Sequence, residues 1–301
     1  MRFFITGANG FVGTNLARML LEEQHQVTVL VRDASRMRRL PSGVEAVFGE
    51  STQPGRWQES VAGHDVVINL AGATIFSRWT SAYKELIRTS RIFTTRNVVD
   101  ALQPAEHQVT LLSTSAVGYY GFTGDEELSE AEPAGTDFLA GIAKDWEAEA
   151  LRAHEKSVRV VLMRFGVVLG KDGGALAQMV RPFRFFVGGP LGSGEQWFSW
   201  IHVRDLCRAV LFLSSHPEVQ GPVNFTAPQP VKNRELAKTI GRVLHRPAFM
   251  PAPAFIIKLV LGELGSVILN GQRAVPRVLL AHGFSFQFPD IETALRDILG
   301  P

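Results

Sequence analysis

The sequence has one cysteine and no long apolar run, and both absences exclude classes of protein. Cys207 stands alone, so the chain can form neither an internal disulfide nor a cysteine-based metal site. A reducing compartment suits such a chain. No apolar stretch approaches the ~18 residues of a bilayer-spanning helix, and no charged leader precedes the first strand. We therefore expect a cytoplasmic protein that is neither secreted nor inserted in a membrane.

An excess of charge of one sign is also missing. The 31 Lys and Arg residues nearly balance the 29 Asp and Glu residues, and the formal net charge is +2. Most basic residues are scattered, so we expect no nucleic-acid and no membrane partner. With 301 residues, 46% of them hydrophobic, the chain can build a large core and a second, smaller lobe.

The start of the chain places three glycines at three-residue spacing between a strand and a helix. The apolar run Phe3–Ile5 predicts the strand, and Leu16, Met19 and Leu20 continue at helical spacing. Such a turn holds a pyrophosphate over the free N–H groups of a helix N-terminus. The alternative is an ordinary strand-to-helix turn. The sequence thus predicts a dinucleotide-binding loop with these cofactor residues: Thr6, Gly7, Asn9, Gly10, Phe11, Val12 and Gly13.

The next strand ends in a basic residue where an NAD-binding chain is expected to carry a carboxylate. Arg32 holds that place, about twenty residues past the loop, and further arginines follow it. A charged hydrogen bond to phosphate contributes roughly 1.5–3 kcal/mol, which corresponds to a preference of tenfold or more. Arg32 therefore indicates a 2′-phosphate and NADP. Asp33 argues the other way because it could reach a ribose, and a merely solvated basic surface is a further alternative.

Later strand ends carry small residues and hydroxyls. The turn Asn69–Ala73 is expected beside the glycine loop, since the carboxyl ends of parallel strands share one edge of a sheet. Ser113–Gly121 places hydroxyl groups at another strand end, where chemistry is usually sited in this architecture. Asp125–Glu132 is an acidic loop that we expect to be a solvated cover, because no histidine is interleaved to make a metal site.

Beyond residue 170 the alternation of strands and helices loosens. Helices are predicted at Val203–Ser214, Asn233–Leu244, Ala254–Leu269 and Ile291–Leu299. The tryptophans of the segment Trp197–His202 are either an aromatic surface or core residues. We expect His202 to be a packing or hydrogen-bonding histidine rather than a metal ligand.

These patterns resemble the extended short-chain dehydrogenase/reductase superfamily of the NAD-dependent epimerase/dehydratase type, over the full length of the chain. More narrowly, the chain resembles the atypical epimerase-family subgroup with a small C-terminal domain of undefined function. The segments that carry the resemblance are Thr6–Gly13, Asn69–Gly72, Trp79, Ser90-Arg91, Ser115–Gly121, Arg164–Gly170, Trp200–Asp205 and Gly283–Phe286.

The resemblance implies an α/β fold: a Rossmann-like, doubly wound parallel sheet of seven strands with helices on both faces and a smaller C-terminal α+β lobe. It implies an NADP-binding domain over residues 1–170, with 200–225 returning to it, and a substrate-side lobe from 171–199 and 226–301. It also implies NADP as cofactor. By position, further cofactor contacts are expected at Arg32, Leu70, Ala71, Gly72, Arg91, Ser113, Phe165 and Val167.

The chain departs from the larger family at the catalytic motif. Those enzymes pair a tyrosine acid/base with a lysine four residues later, but here Ala140 stands four residues before Lys144. Ser115 occupies the expected serine position and is a weak acid or base by itself; the alternative is that it forms only local hydrogen bonds. Tyr119 or Tyr120 would then have to be the proton donor. We take Ser115, Tyr119 and Tyr120 as the catalytic candidates.

Two functions fit these residues. The first is an NADP-dependent oxidoreductase or epimerase that moves a hydride to or from a small carbonyl or hydroxyl substrate. The second is a non-catalytic NADP-binding sensor or protein-interaction module. The sequence implies no metal, and it is compatible with a monomer or a homodimer.

Overall fold

A computed structural model of the chain describes residues 1–103, 108–171 and 173–300. The strands are β1 (Arg2–Thr6), β2 (Gln26–Val31), β3 (Glu45–Phe48), β4 (Val66–Asn69), β5 (Thr110–Ala116), β6 (Glu127–Leu128), β7 (Arg159–Phe165), β8 (Val167–Gly170), β9 (Gly173–Gly174), β10 (Trp197–Phe198), β11 (Trp200–His202), β12 (Gly221–Phe225), β13 (Val231–Lys232) and β14 (Arg273–Ala274). The helices are α1 (Phe11–Glu22), α2 (Ser81–Ala101), α3 (Phe138–Leu151), α4 (Leu176–Met179), α5 (Arg181–Arg184), α6 (Val203–Ser214), α7 (Asn233–Leu244), α8 (Ala254–Leu261), α9 (Glu263–Ile268), α10 (Arg277–Ala281) and α11 (Ile291–Leu299). Short 3₁₀ helices cover Ala34–Arg39, Arg56–Val61, Val117–Tyr120 and Arg152–Lys156.

In the described ranges the main sheet has seven strands in the order β12-β7-β5-β4-β1-β2-β3. Every neighbouring pair in it is parallel. The strand order reverses at β1 and β4, and in open parallel sheets the ligand crevice lies at that point, at the carboxyl ends of the strands. The expected doubly wound fold is confirmed.

Alternate residues of the strands face two different helical layers. Phe3 and Ile5 of β1 belong to one apolar cluster with α1 and α6, while Phe4 belongs to a second cluster that includes Val98 of α2. Both clusters are buried, as the apolar character of consecutive strand residues predicts. The sheet is therefore covered on both faces, which leaves its carboxyl edge for ligands.

A third buried cluster builds the smaller lobe from α7, α11 and the strands that lead into it. Trp200 belongs to this core: it is fully buried and its Nε1 donates to the Gln229 carbonyl oxygen at 3.1 Å. In the described part of the chain, no helix is both long enough and apolar enough to cross a membrane.

The prediction of one helix over Ala254–Leu269 is wrong in one respect. It is divided into α8 and α9 at Gly262, which has a φ of +60°. A positive φ is outside the helical region and is accessible to glycine at little cost, so the chain turns there.

Candidate functional site

The glycine loop between β1 and α1 has the tight geometry that its sequence predicts. Gly7 has a φ of +72°, and a Cβ placed on it would lie 2.7 Å from the Leu70 carbonyl carbon. A Cβ on Gly13 would lie 2.5 Å from the Cα of Ala8. Side chains at either position would push apart the loop, the helix and the neighbouring turn, so glycine is required at both.

The N-terminus of α1 faces the crevice without a side-chain cap. Gly10 is the N-cap residue, and among the described residues no side chain caps the first N–H groups of the helix. The first N–H groups of a helix have no intrahelical acceptor and attract anions. The loop can therefore bind a phosphate through backbone N–H groups alone.

The turn after β4 lies directly against this loop, as expected. The Leu70 N–H donates to the Thr6 carbonyl oxygen at 3.2 Å, and the backbone of Ala71 lies near Gly7. Arg91 packs beside Gly72, donates from Nη1 to the Ile87 carbonyl oxygen at 2.9 Å, and lies over the Trp146 ring. Burial lowers the Arg91 pKa to about 10.

Four other predicted cofactor residues occupy different parts of this edge. The Thr6 hydroxyl donates to Asn69 Oδ1 at 2.7 Å. Ser113 lies opposite Asn69 in the sheet, and among the described residues its buried hydroxyl has no hydrogen-bond partner. Phe165 packs its ring against Phe225, and Val167 donates its N–H to the Ser199 carbonyl oxygen at 2.8 Å.

The side chain of Phe11 packs against the β8–β9 hairpin. Its ring is packed so closely against Gly170, Gly173 and Gly174 that a Cβ on any of them would lie within 3.1 Å of a ring atom. The ring thus fixes the β8–β9 hairpin to the start of α1, beside the crevice.

The side chains of Arg32 and Asp33 differ in exposure and in their hydrogen-bond partners. The Arg32 side chain is 67% exposed, with Glu50 at 3.6 Å from its Nε. The Asp33 carboxylate accepts from the Ser35 N–H at 2.9 Å and from the Ser35 hydroxyl, and thereby caps the 3₁₀ helix Ala34–Arg39. The hydrogen bond from the Ser35 side chain is the main cause that lowers the pKa of Asp33. Arg32 is therefore the freer of the two side chains to meet a ligand.

Below the crevice lies a buried polar network centred on Glu147 of α3 and Arg164 of β7. Glu147 Oε1 accepts from Ser115 Oγ at 2.6 Å and from Arg164 Nε at 2.8 Å, and its Oε2 accepts from Arg164 Nη2 at 2.8 Å. All three side chains are buried. We call these residues, with Tyr120 and Asn224, the Glu147–Arg164 network. Ser115 thus has a carboxylate partner that its place in the sequence does not reveal.

The two candidate tyrosines have different surroundings. Tyr120 is 2% exposed; its hydroxyl donates to Asn224 Oδ1 at 2.7 Å and accepts from Arg164 Nη1 at 3.0 Å. Burial is the main cause that raises its pKa to about 12. The half-buried Tyr119 stacks its ring on the Arg164 guanidinium at 3.6 Å. This arrangement disfavours Tyr120 as a proton donor to substrate, because its hydroxyl is already engaged inside the protein.

The acidic loop is not the uniformly solvated cover that the sequence predicts. Glu130 is buried, and its Oε1 accepts from the Asn224 N–H at 3.0 Å and the Val278 N–H at 3.2 Å. Burial raises the pKa of Glu130 above its ordinary value. Nearer the loop's start, exposed Asp125 accepts from Trp197 Nε1 at 2.6 Å and lies 3.3 Å from Lys232 Nζ. The loop is therefore fixed to the smaller lobe at both places.

His202 is a hydrogen-bonding histidine, as expected. Its Nδ1 accepts from the Arg204 N–H at 3.1 Å and caps α6, and its ring stacks on Phe288. Among the described residues, no group of three or more His, Cys, Asp or Glu side chains is arranged to hold a metal ion.

Sequence reasoning missed Glu147, Arg164 and Asn224 as site residues. A signal for Glu147 was present, because it falls at helical spacing on the same face as Ala140, Ala143 and Ala150, all of them buried. Arg164 is the penultimate residue of β7 and follows the apolar residues Val160 to Met163. A charged residue at such positions is buried and needs a partner.

Comparisons with known proteins agree with this geometry. Residues 3–225 match the model of the NAD dependent epimerase/dehydratase family, and residues 252–298 match a domain of unknown function, DUF1731.

Relatives cover nearly the whole chain. The chloroplastic homolog of epimerase family protein SDR39U1 from Arabidopsis thaliana is 43% identical over 309 residues, which covers 99% of this chain and 87% of that protein. Epimerase family protein SH2119 of Staphylococcus haemolyticus is 39% identical, with 99% of each chain covered. The crystal structure of human epimerase family protein SDR39U1 (isoform 2) with NADPH is 34% identical, covers 99% of both chains and has a TM-score of 0.87.

Proposed function

Because this chain belongs to the NAD-dependent epimerase/dehydratase family, we propose that it is an NADP(H)-dependent oxidoreductase or epimerase of a small carbonyl or hydroxyl substrate. The observation that carries the proposal is the uncapped N-terminus of α1, held against the Leu70–Gly72 turn at the point where the strand order reverses. The substrate would lie at the same edge, over Ser115 and Tyr119.

The crevice fits a dinucleotide phosphate on its own geometry. Gly7 and Gly13 leave space that a Cβ would fill, and the first N–H groups of α1 face that space. The residues that would hold NADP are the loop Thr6–Gly13, Arg32 and the Leu70–Gly72 turn, with Arg91, Ser113, Phe165 and Val167 as further contacts. Arg32 supports NADP rather than NAD because it is an exposed cation, whereas Asp33 is engaged with Ser35. The NADPH of the human relative's structure is in line with this choice.

When bound, the nicotinamide would supply or accept a hydride. This chain's own residues would handle the matching proton. We assign that role to Tyr119, and to Ser115 the role of orienting the substrate, because the Ser115 hydroxyl donates its only hydrogen to Glu147 at 2.6 Å. With its hydrogen held by the carboxylate, the Ser115 hydroxyl would offer its oxygen lone pairs to a hydrogen-bond donor of the substrate. Arg164 and Tyr120 then act as positioning residues that fix Glu147 and Tyr119.

The cofactor assignment predicts a preference for NADPH. We expect NADPH to bind at least ~tenfold more tightly than NADH, and Arg32→Ala to remove most of that difference. Fluorescence titration of both dinucleotides measures it. Arg38→Ala is the matched control, since Arg38 is another exposed arginine of the same basic cluster. Equal affinities of the unmodified protein for NADPH and NADH would contradict the Arg32 assignment.

The catalytic assignment predicts different effects for the two tyrosines. NADPH oxidation is followed with a panel of small carbonyl compounds. We expect Tyr119→Phe to lower kcat by ~100-fold with NADPH affinity unchanged, the usual scale of a lost general acid. We expect Tyr120→Phe to lower the melting temperature and to change kcat by much less than Tyr119→Phe does, because the Tyr120 hydroxyl is buried in the Glu147–Arg164 network.

Two outcomes would sink these assignments. Full activity in both Tyr119→Phe and Ser115→Ala would show that neither side chain takes part in the reaction. Tight NADPH binding without hydride transfer to any panel member would contradict the enzyme proposal and favour the non-catalytic NADP-binding module.

A further inference from the structure

The smaller lobe exposes large apolar side chains that neither the core nor the crevice accounts for. Six of them define what we call the lobe patch: Phe185, Phe186, Phe249, Phe255, Leu259 and Val260. Phe185 is 77% exposed, Phe255 71% and Leu259 82%. Exposed apolar groups that are adjacent on a surface mark a site for a protein or a membrane, whereas single ones need no explanation.

Backbone hydrogen bonds bring together the two segments that carry the patch residues. The Met250 N–H donates to the Gly188 carbonyl oxygen at 3.1 Å, and the Ala252 N–H donates to the Pro190 carbonyl oxygen at 2.9 Å. The segment after Phe186 thus runs beside the segment after Phe249. Helix α8, which carries the other patch residues, begins at Ala254, directly after that second segment.

Helix α8 is apolar around most of its circumference and is nevertheless on the surface. Its sequence is Ala-Phe-Ile-Ile-Lys-Leu-Val-Leu, and Ile257 is its one buried residue. A helix that binds in a protein groove presents one apolar stripe. A helix that is apolar nearly all round is usually surrounded by core or by lipid. The composition of α8 therefore fits an apolar medium better than a groove.

The charges beside the patch are mostly positive; the one carboxylate next to α8, Glu263, is paired with Lys84 at 2.7 Å. Residues 173–194 and 243–262 contain no Asp or Glu, but they contain Arg181, Arg184, Arg246 and Lys258, all exposed. The Arg246 guanidinium lies over the Phe186 ring at 4.6 Å. Within the described ranges, none of these four cations forms an ion pair. An apolar surface with a cationic surround is complementary to anionic headgroups above an acyl layer.

A second copy of this chain is a poorer occupant. A two-fold contact through the patch would bring Arg184 and Lys258 of one copy toward the same cations of the other. Like charges at an interface disfavour association.

We propose that the lobe patch docks this protein on the surface of an anionic lipid bilayer, with Phe255 and Leu259 of α8 inserted among the headgroups. Helix α8 has eight residues, far fewer than the ~20 of a membrane-spanning helix, so its docking would be interfacial. The patch is separate from the proposed cofactor residues, so this inference does not depend on the reaction. Helix α8 lies in the range that matches the domain of unknown function.

The test is co-sedimentation of the full chain with vesicles of phosphatidylcholine alone and of phosphatidylcholine mixed with phosphatidylglycerol. We expect binding at least ~tenfold tighter to the anionic vesicles, weakened by salt, because each surface cation adds to the attraction. Phe255→Ser with Leu259→Ser, and separately Arg184→Glu with Lys258→Glu, should each lower it at least ~tenfold. Leu280→Ser and Lys238→Glu are the matched controls, since both residues are exposed and lie outside the patch.

A second readout reports insertion directly. Burial raises the pKa of the native Cys207 thiol to about 12 and withholds it from labelling. A polarity-sensitive dye on Leu259→Cys should therefore report position 259, and its emission should shift to the blue on anionic vesicles. The same dye on Leu280→Cys should not shift.

Three results would overturn the proposal. The first is that the unmodified protein does not bind anionic vesicles. The second is that the patch variants bind them as tightly as the unmodified protein does. The third is that the protein binds no vesicles and forms a dimer that Phe255→Ser with Leu259→Ser dissociates.

Discussion

Gly7 meets two separate constraints, one from its own backbone and one from the turn beside it. Its φ is +72°, and a Cβ would lie 2.7 Å from the Leu70 carbonyl carbon. Gly283 has a similar φ of +82°, but a Cβ there would meet nothing within 4 Å. The two glycines therefore separate backbone strain from steric crowding.

We expect Gly283→Ala to lower the free energy of unfolding by about 1–2 kcal/mol, the cost of a left-handed conformation. Gly7→Ala should lower the free energy of unfolding by more than that. It should also remove most of the NADPH affinity, because the Leu70–Gly72 turn must move away from the glycine loop. Urea unfolding and NADPH titration measure the two effects. Equal losses of stability in the two variants would show that crowding at Gly7 is unimportant.

Residues of the site differ in how far sequence determines them. Gly7 is predictable because a local turn requires it, and both parts of the turn are adjacent in the chain. The hydrogen bond of Ser115 to Glu147 joins residues 32 positions apart, and that of Tyr120 to Asn224 joins residues 104 apart. No local sequence pattern specifies such pairs, so the Glu147–Arg164 network could be identified only from the tertiary structure.

At the scale of elements, a carboxylate joins the two helices on one face of the sheet. Glu149 of α3 accepts from Arg96 of α2 at 3.0 and 3.2 Å and from Arg152. Burial alone would raise the pKa of Glu149, but the hydrogen bonds from the two arginines outweigh it and lower the pKa below 4.5. The folded chain thus binds fewer protons here than the unfolded chain does.

This sign predicts acid sensitivity. The stability from Glu149 should be present above a pH of about 4.5 and should be lost as the pH falls through the lower folded-state pKa. Because the arginines are half exposed, we expect Glu149→Gln to cost only ~1 kcal/mol near neutral pH and less in acid. Urea unfolding across this range measures it, with the exposed Glu155→Gln as control. A cost independent of pH would contradict the assignment.

Element boundaries were predictable where the chain marks them locally. Helices α6, α7 and α11 have the bounds that their amphipathic spacing predicts, and Asp290 caps α11 through its side chain. Helix α2 likewise begins directly after a capping residue, because the Thr80 side chain accepts from the Tyr83 N–H. The division at Gly262 was missed because apolar residues continue on both sides of it, and their spacing does not show whether a single glycine breaks the helix.

On the scale of the whole molecule, one buried carboxylate helps to hold the last part of the chain on the helices that cover the sheet. Asp205 of α6 is fully buried; its Oδ1 accepts from the Gln287 N–H at 2.9 Å and from Arg208 Nη1 at 2.8 Å. Its Oδ2 accepts from the Phe288 N–H at 2.8 Å. The sequence indicates only that Asp205 suits a helix N-terminus. In the structure it also ties residues 287–288, just before α11, to a helix that covers the sheet.

We therefore expect Asp205→Asn to destabilise the lobe although the two side chains have almost the same shape. The amide offers one acceptor where two oxygens are needed, and its NH₂ group would face a backbone N–H. Leaving such a buried donor unpaired costs ~2–4 kcal/mol. Asp290→Asn is the matched control, because asparagine caps a helix about as well as aspartate. Urea unfolding gives the loss of stability, and hydrogen exchange should show residues 284–300 opening before the sheet does. Uniform exchange across the molecule, or equal losses in the two variants, would mean that Asp205 does not carry this attachment.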